Sequence, residues 1–507
     1  MEDGQSQSVD LLVVGGGING AGIARDAAGR GLKVMLVERG DLAGATSSAS
    51  SKLIHGGLRY LEQYEFGLVR KALAEREVLL AAAPHLVAPL EFVLPQGEGS
   101  RPGWMLRIGL FLYDHLGGRR RLPGSHGIDL RRHPAGRPLK DEYRHGFTYA
   151  DCWTDDARLV VVNAMDAASH GAVIRTRTEL MSARRDGTVW RAVLRDVRTG
   201  LENTVTARIL VNAAGPWAAD LIEHQLGMDG GRRLRLVKGS HMVVPRQDGV
   251  DDAYLLQNVD GRIVFVLPFL ERFSLIGTTE MELERMPDTV AITPGEVDYL
   301  CGIVNRYFRS PIAPSDVVWS FAGVRPLVDD ADGDPSSVTR DFLIALDAPP
   351  LDAPGGTAPL LSVLGGKITT YRVLAEAAMD DLAPFLTDLP GPWTKGAPLP
   401  GGDMPRGDFD AYAAEVLQDV PWLPPEVTRR LLRTYGSRVE VILDGARSPA
   451  ELGAHYGDGV YEAEIGYLLR HEWLETVEDF LWRRTKFGLV VSDATVDRLR
   501  QRLSAAG

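Results

Sequence analysis

Residues 9–38 read VDLLVVGGGINGAGIARDAAGRGLKVMLVE, and the order of residue types in that stretch decides the fold. Val9 to Val14 is a short run of β-branched residues and Leu, which reads as a buried strand. It stops at Gly15-Gly16-Gly17, and Ile18, Asn19, Gly20 and a set of small and apolar residues at helical spacing follow. Gly15, Gly17 and Gly20 therefore form G-x-G-x-x-G between a strand and a helix. At such a turn, residues without a Cβ let backbone N–H groups approach a pyrophosphate at the positive end of the helix. A second apolar run, Leu32 to Val37, ends at Glu38, 23 positions after Gly15 and close to the spacing of a ribose-binding carboxylate. The glycines alone would also suit a tight structural turn. Strand, turn, helix, strand and acid together read as a dinucleotide site.

The next segment, Gly44 to Lys52 (GATSSASSK), is small and hydroxyl-rich. It suits a loop wrapping the ribityl and phosphate portion of a cofactor, with a flexible surface linker as the alternative. From Gly171 the pattern becomes antiparallel, with turn signals at Asp186-Gly187 and Thr199-Gly200 between alternating runs. This meander ends in ILVNAAGPW (209–217), a strand stopping at small residues where it would cross the first glycine loop. That return points to FAD rather than NAD. A third such element follows: the strand Leu360 to Leu364, the turn Gly365-Gly366-Lys367, and a helix from Ile368 onward.

The whole chain has 507 residues, 45% hydrophobic and 24% charged, which is ordinary for a folded chain of two to four domains. Its 56 Lys and Arg against 68 Asp and Glu give a net charge of −12, against the basic bias of nucleic-acid binders. Cys152 and Cys301 provide neither a disulfide framework nor a zinc spacing, which suits a reducing compartment and no metal. HEWLE (471–475) begins like a zinc protease motif, but Glu475 stands where the second His is needed. No signal peptide and no run of 18 apolar residues is expected from this sequence. Internal repeats are absent.

The segments GGGINGAG, TSSASSKLIHGGLRYLE, VNAAGPW, KGSHMVVP, FVLPF, IGTTE, GVRPL and GGKITTYR, in this order, resemble the aerobic, FAD-dependent glycerol-3-phosphate dehydrogenases. Singly, several belong to the broader D-amino-acid-oxidase-like flavoproteins. The resemblance runs from about Asp10 to about Leu386, and WRRTK (482–486) continues it. It implies an α/β FAD-binding Rossmann-like domain with an inserted antiparallel-sheet substrate-binding part, and a C-terminal all-helical domain. Residues 1–388 would form the first unit, 389–408 a linker, with five Pro and five Gly in twenty positions, and 409–507 the helical domain. It also implies oxidation of sn-glycerol 3-phosphate to dihydroxyacetone phosphate, with electrons passing through non-covalent FAD to ubiquinone or menaquinone. A homodimer lying peripherally on the cytoplasmic face of the inner membrane would go with that activity.

This chemistry needs a hydride acceptor, a proton acceptor and cations for a phosphate dianion, a task that suits the arginine fork. Arg59, Arg325, Arg340 and Lys367 stand among glycines and hydrophobes rather than in the basic runs. Each alone would also suit a salt bridge, and Asp329, Asp330 and Asp341 are available for one. The resemblance places Arg59, Tyr60, Arg325, Arg340 and Lys367 in a phosphate and flavin pocket, with Thr278 adding a hydrogen bond to substrate. His241 is preferred as base or hydroxyl ligand, and His55 would lie nearer the flavin. The expected catalytic set is His241, Arg325, Arg59 and Lys367. Cofactor contacts are expected at Gly15, Gly17, Asn19, Gly20 and Glu38, and at Thr46, Ser47, Ser48, Ser51, Lys52, Leu53, His55, Gly56 and Gly57 in the loop. The later turns would add Ala214, Gly215, Gly366, Lys367 and Thr369.

Two stretches carry further expectations. Residues 101–124 set Trp104, Met105, Leu106, Ile108, Leu110, Phe111, Leu112 and Tyr113 beside Arg101, Arg107 and Arg119 to Arg121, which suits an in-plane membrane anchor or a core helix with a basic exit loop. Beyond the linker, Ile465, Leu468, Leu469, Trp473, Val477, Phe480 and Leu481 recur at helical steps, reading as one apolar stripe of structural use. An oxidase that reduces O₂, a related flavoenzyme of the D-amino-acid-oxidase type, or a non-catalytic flavoprotein remain as alternatives.

Overall fold

The computed structural model describes residues 7–97, 100–118, 121–228, 234–258, 260–328, 341–348 and 358–505. Numbered along the chain, its first sheet contains β1 (Gln7–Val14), β2 (Val34–Val37), β7 (Val173–Arg175), β8 (Thr178–Asp186), β9 (Val189–Asp196), β10 (Glu202–Asn212), β17 (Phe342–Asp347) and β18 (Leu360–Gly365). The order is β17-β18-β10-β1-β2-β7, with β9 also on β10 and β8 on β9. The strands from β18 to β7 run parallel. A parallel sheet is covered on both faces, and so β1 is apolar at consecutive positions. Leu11 and Val13 pack with helices α1 (Ile18–Gly29), α4 (Asp156–Ser169) and α7 (Tyr371–Leu382), whereas Leu12 and Val14 meet Leu180, Trp190 and Leu194 of the β8–β9 hairpin. The run from Gly171, expected to be antiparallel throughout, instead opens with β7 parallel to β2. The hairpins begin only at β8.

The second sheet contains β3 (Leu53–Ile54), β4 (Val87–Gln96), β5 (His126–Asp129), β6 (His145–Thr154), β11 (Leu234–Pro245), β12 (Ala253–Gln257), β13 (Ile263–Phe269), β14 (Phe273–Gly277), β15 (Met281–Leu283) and β16 (Trp319–Val328). Its order is β15-β11-β14-β13-β12-β4-β6-β3, with β16 on β11 and β5 on β6. One face is sealed by α6 (Pro294–Tyr307), started by a Thr293–Glu296 capping box; Leu300, Ile303 and Val304 pack there on Met242, Val244 and Ile276. The other face, with Leu255, Phe265 and Leu275, is roofed by α2 (Phe66–Ala82) and α3 (Gly103–Leu116). α3 has two faces. Leu106, Leu110 and Tyr113 are buried, while Trp104, Met105, Ile108 and Phe111 are exposed, Trp104 by 70%.

After β10 the chain turns through Gly215–Trp217 and the single turn α5 (Ala218–Asp220). The Pro- and Gly-rich segment at 389–408 lies on α1, where the Trp393 indole donates to the Asp26 carbonyl at 3.1 Å and stacks with Arg25. The C-terminal part holds α8 (Phe409–Asp419), α9 (Pro425–Tyr435), α10 (Val439–Leu443), α11 (Glu462–His471) and α12 (Asp493–Ser504). It is not all-helical, because β19 (His455–Gly457) and β20 (Val460–Tyr461) form a hairpin. The expected single stripe is also broken. α11 stops at His471, Trp473 takes a left-handed φ of 51°, and a wide π-helical turn resumes at Asp479–Arg484. At the break Glu472, the C-cap residue of α11, takes Arg158 of α4 in a buried two-pronged ion pair.

Candidate active site

Two cavities lie along the junction of the sheets. The first, about 300 Å³, is lined among others by Gly15, Gly17, Glu38, Thr46, Ser47, Ala214 and Gly215. β1 and β10 end side by side here, and Gly15 has φ of 114° with the Ala213 carbonyl 2.4 Å from where a Cβ would stand. Only glycine fits. No side chain caps the N-terminus of α1 through its N-cap residue; Ile18 N–H instead donates to Ser47 Oγ at 3.0 Å. Glu38 accepts from Gly16 N–H and Gly40 N–H, each at 2.7 Å, which sets the acid at the end of β2 against the glycine turn. Asn19 Nδ2 donates to the Gly365 carbonyl at 3.1 Å, tying the first glycine turn to the third, and its buried Oδ1 has no partner among the described residues. Arg39 stacks on Trp217 at the cavity wall, a platform no motif announced. A helix N-terminus, a terminal acid and a wall without Cβ atoms fit a dinucleotide.

The second cavity, about 140 Å³, is lined by Ser51, His55, Gly57, Arg59, Tyr60, Thr278 and Arg325 among others. Four arginines reach it, Arg59, Arg101, Arg262 and Arg325, against Glu62 and Glu280. Three have carboxylates nearby: Arg101 pairs with Glu62, Arg262 with Asp260 at 2.7 Å, and Arg325 stands 3.7 Å from Glu280. Among the described residues, no carboxylate lies within ion-pair distance of Arg59. Arg101, read from sequence as part of the basic flank of the amphipathic segment, is thus a cavity residue. Glu62 and Glu280 close the motifs TSSASSKLIHGGLRYLE and IGTTE but were given no role, and Gln257 and Arg262 carried no local signal.

His241 lies just behind this cavity, in mid-β11. The register sets it between Phe321 of β16 and Gly277 of β14. Its ring stacks on Phe321 at 4.9 Å and 13°, and a Cβ on Gly277 would come within 2.2 Å of it. Nε2 is 2.9 Å from Ser51 Oγ, and the buried Nδ1 has no partner among the described residues. Burial, then the charges of Lys52 and Arg325, hold the imidazole down at about 3. His55 is pushed down too, by burial first, and its backbone N–H donates to Thr369 Oγ1 at 3.3 Å. Behind β11, Glu296 accepts from Lys238 Nζ, Ser240 Oγ and Thr279 Oγ1 at 2.7 to 2.9 Å. Burial would raise this carboxyl, but those donors keep it at about 2, and so they brace the strand that presents His241.

Other expected residues fall nearby in different roles. The Lys367 ammonium stands 3.7 Å from the centroid of the Tyr60 ring. The Lys52 side chain turns into the protein. It is wholly buried, with Nζ on both Asp156 oxygens at 2.9 Å and on the Ser48 carbonyl at 3.0 Å. Burial lowers this ammonium to about 8 against the pull of Asp156. The Leu53 side chain packs in the core, Ser48 Oγ bonds its own turn at Ala45, and Gly56 N–H donates to Tyr113 Oη at 2.8 Å. Gly20 serves close packing, its Cα facing the Gly15 carbonyl, and Gly366 sits against Leu374 and Asn19. Arg340, with Asp329, Asp330, Arg119 and Arg120, lies outside the described residues.

A dinucleotide cradle beside an arginine-rich cavity, on a parallel sheet joined to a largely antiparallel one, defines a flavin-dependent oxidoreductase. The model of the FAD dependent oxidoreductase family matches residues 10–372, and that of the C-terminal domain of alpha-glycerophosphate oxidase matches 392–505; the chain belongs to the FAD dependent oxidoreductase family. It is 50% identical to D-erythritol 1-phosphate dehydrogenase of Brucella abortus, over 97% of this chain and 96% of that one. It is 52% identical to glycerol-3-phosphate dehydrogenase of Pseudomonas aeruginosa, over 98% and 95%. Among solved structures, glycerol-3-phosphate dehydrogenase from Bacillus halodurans complexed with FAD is similar, with a TM-score of 0.76, 27% identity and coverage of 99% and 95%. The protein is an FAD-dependent enzyme.

Proposed function

We propose that the protein oxidises sn-glycerol 3-phosphate to dihydroxyacetone phosphate and passes the electrons to a membrane quinone, ubiquinone or menaquinone. The observation that carries the reading is Arg59, a guanidinium in the second cavity with no carboxylate partner among the described residues, facing the same space as Arg325. An uncompensated guanidinium beside a flavin cradle suits a phosphate dianion. FAD, when bound, supplies the two-electron acceptor for the carbon-bound hydride. Arg59 and Arg325 hold the phosphate and fix which carbon faces the cradle. His241, neutral at working pH, takes the hydroxyl proton at Nε2 by way of Ser51 Oγ, which lines the cavity and stands 2.9 Å from that nitrogen. A bound dianion raises the proton affinity of that imidazole against the lowering by Lys52 and Arg325.

The outer face of α3 supports docking to a lipid surface, where a quinone resides: Trp104, Met105, Ile108 and Phe111 are exposed together, with Arg107 and Arg121 exposed near them. No helix among the described residues is long and apolar enough to cross a membrane. We place this docking at the cytoplasmic leaflet, with a homodimer as the working assembly. Replacing Ile108 and Phe111 by Ser is expected to lower sedimentation with anionic vesicles while dye-linked activity stays; undiminished sedimentation would take α3 out of the reading.

The substrate is tested by anaerobic mixing of the FAD-loaded protein with glycerol 3-phosphate, D-erythritol 1-phosphate, glycerol or an amino acid, following flavin absorbance. Bleaching is expected with glycerol 3-phosphate. Bleaching confined to the four-carbon phosphate would move the substrate to the chemistry named for the Brucella relative, and stoichiometric peroxide in air would replace quinone by O₂.

A further inference from the structure

The C-terminal segment 482–486 (WRRTK) reaches the catalytic half of the molecule at both of its ends. At one end, Trp482 stacks on Trp319 with ring centroids 4.6 Å apart and planes at 17°. Trp319 meets Phe321 at 4.9 Å, and Phe321 lies flat on the His241 imidazole at 4.9 Å and 13°. Trp319 and Phe321 are two residues apart on β16 and so share one face of the sheet. Four rings thus run in file from the C-terminal domain to His241. Space for the first is left by Gly488, where a Cβ would stand 2.6 Å from the Trp482 indole.

At the other end Lys486 is buried, with Nζ 3.4 Å from Asp155 and 3.4 Å from Asp156. Asp156 is the carboxylate that holds Lys52, and the Lys52 ammonium stands 4.7 Å from the centroid of the same Phe321 ring. Between the two ends, Arg484 grips both oxygens of Asp41, just beyond β2, at 2.7 and 2.8 Å. The stack and the ion cluster therefore converge on Phe321. That convergence matters because, among the described residues, His241 has one side-chain hydrogen bond, to Ser51, and a single bond leaves an imidazole free to tilt about it. The plane of the ring is set by Phe321 on one side and by the bare Gly277 on the other.

We propose that Trp482 and Lys486 are positioning residues for His241, so that the docked C-terminal domain sets the attitude of the imidazole through the Trp482–Trp319–Phe321 stack and the Lys486–Asp156–Lys52 cluster. The proposal rests on the reading of His241 as the group that takes the substrate hydroxyl proton.

The test uses the full-length, FAD-loaded protein with Trp482→Ala, Trp482→Phe, Lys486→Met, His241→Ala and the Trp482→Ala/His241→Ala pair. Flavin content, unfolding temperature and the anaerobic bleaching rate are followed against glycerol 3-phosphate concentration and pH. Trp482→Ala is expected to lower the limiting rate about tenfold with KM within about twofold, as misplacement of a reacting group does. Its pH profile shifts, since Lys52, Arg325 and Asp156, the charged groups acting on His241, then stand differently to it. Trp482→Phe recovers most of the rate, and Lys486→Met follows Trp482→Ala in direction. In the His241→Ala background, Trp482→Ala costs nothing further. If Trp482→Ala does not fold, Trp482→Leu, which keeps volume without a ring, answers in its place. A flavin-loaded Trp482→Ala protein with wild-type rate and pH profile overturns the proposal, as does a loss that adds in full to that of His241→Ala. Wild-type rates in His241→Ala itself would instead overturn the role of His241.

Discussion

Arg59 and His241 show how differently two functional side chains are held. Arg59 is half-buried and faces a cavity with no carboxylate beside it among the described residues, so its charge is available to a ligand. A hydrogen bond to a charged group contributes about 1.5–3 kcal/mol, so Arg59→Ala should raise KM for glycerol 3-phosphate by about 10- to 100-fold. Flavin content should be unchanged, and Arg59→Lys should recover only part of the loss, because it keeps the charge without the fork. Steady-state kinetics on FAD-loaded protein decide this.

His241 is sealed in the neutral form, and His85 likewise, both depressed to about 3 by burial first. His85 is fully buried, and neither ring nitrogen is hydrogen-bonded among the described residues. For such groups the unfolded chain, with a pKa of about 6.5, binds a proton that the folded chain refuses. Their contribution to stability is complete above about pH 6.5 and is lost as pH falls toward 3. The carboxylates Asp156 and Glu296, both held at about 2, begin to cost stability only below about pH 4.5. The unfolding temperature should therefore fall from pH 6.5 to pH 4.5, and His85→Gln should flatten that fall. An unchanged slope would discard the account.

At the scale of elements, the glycine turns act by letting backbones touch. In Gly15→Ala the new methyl would meet the Ala213 carbonyl 2.4 Å away, at a φ of 114° that L side chains rarely adopt. β1 and β10 would have to part, and flavin content measured by absorbance should drop steeply. This cradle was legible in the sequence, because a parallel sheet buried on both faces leaves continuous apolar runs, and β1, β10 and β18 stop at small residues while β2 stops at an acid. Less legible was α3, whose composition suits a lipid anchor and a core helix alike. It is half of each: Leu106 lines the cavity, Tyr113 packs in the core beside it, and Trp104 and Phe111 face outward. The break after α11 was not legible at all, because the spacing of Leu469, Trp473 and Val477 continues unchanged through it.

At the scale of the molecule, buried ion pairs rather than a free linker join the C-terminal domain to the rest. Arg158 and Arg484 share the surroundings of Glu472, and Arg484 also takes Asp41; all but Asp41 are almost fully inaccessible, and Asp41 is 4% exposed. Removing one partner from such a set leaves an uncompensated buried charge. Glu472→Gln should therefore destabilise the protein by about 3–5 kcal/mol, read as a lower urea midpoint. A separate early transition would show that the domains part first.

Local order was enough to determine the dinucleotide turn, the acid closing β2, the return of β10 and the third glycine turn, since each is a contiguous pattern whose meaning depends on neighbours a few residues away. Only the tertiary structure decided that Arg101 turns into the cavity, that Lys52 turns away from it toward Asp156, and that a tryptophan near the C-terminus stands at the end of a row of rings leading to His241. Those outcomes depend on which of many charged and aromatic side chains meet across separations of 39 to 163 positions. That choice is made by the packing of the two sheets and the helical domain, not by any feature of the residues on either side.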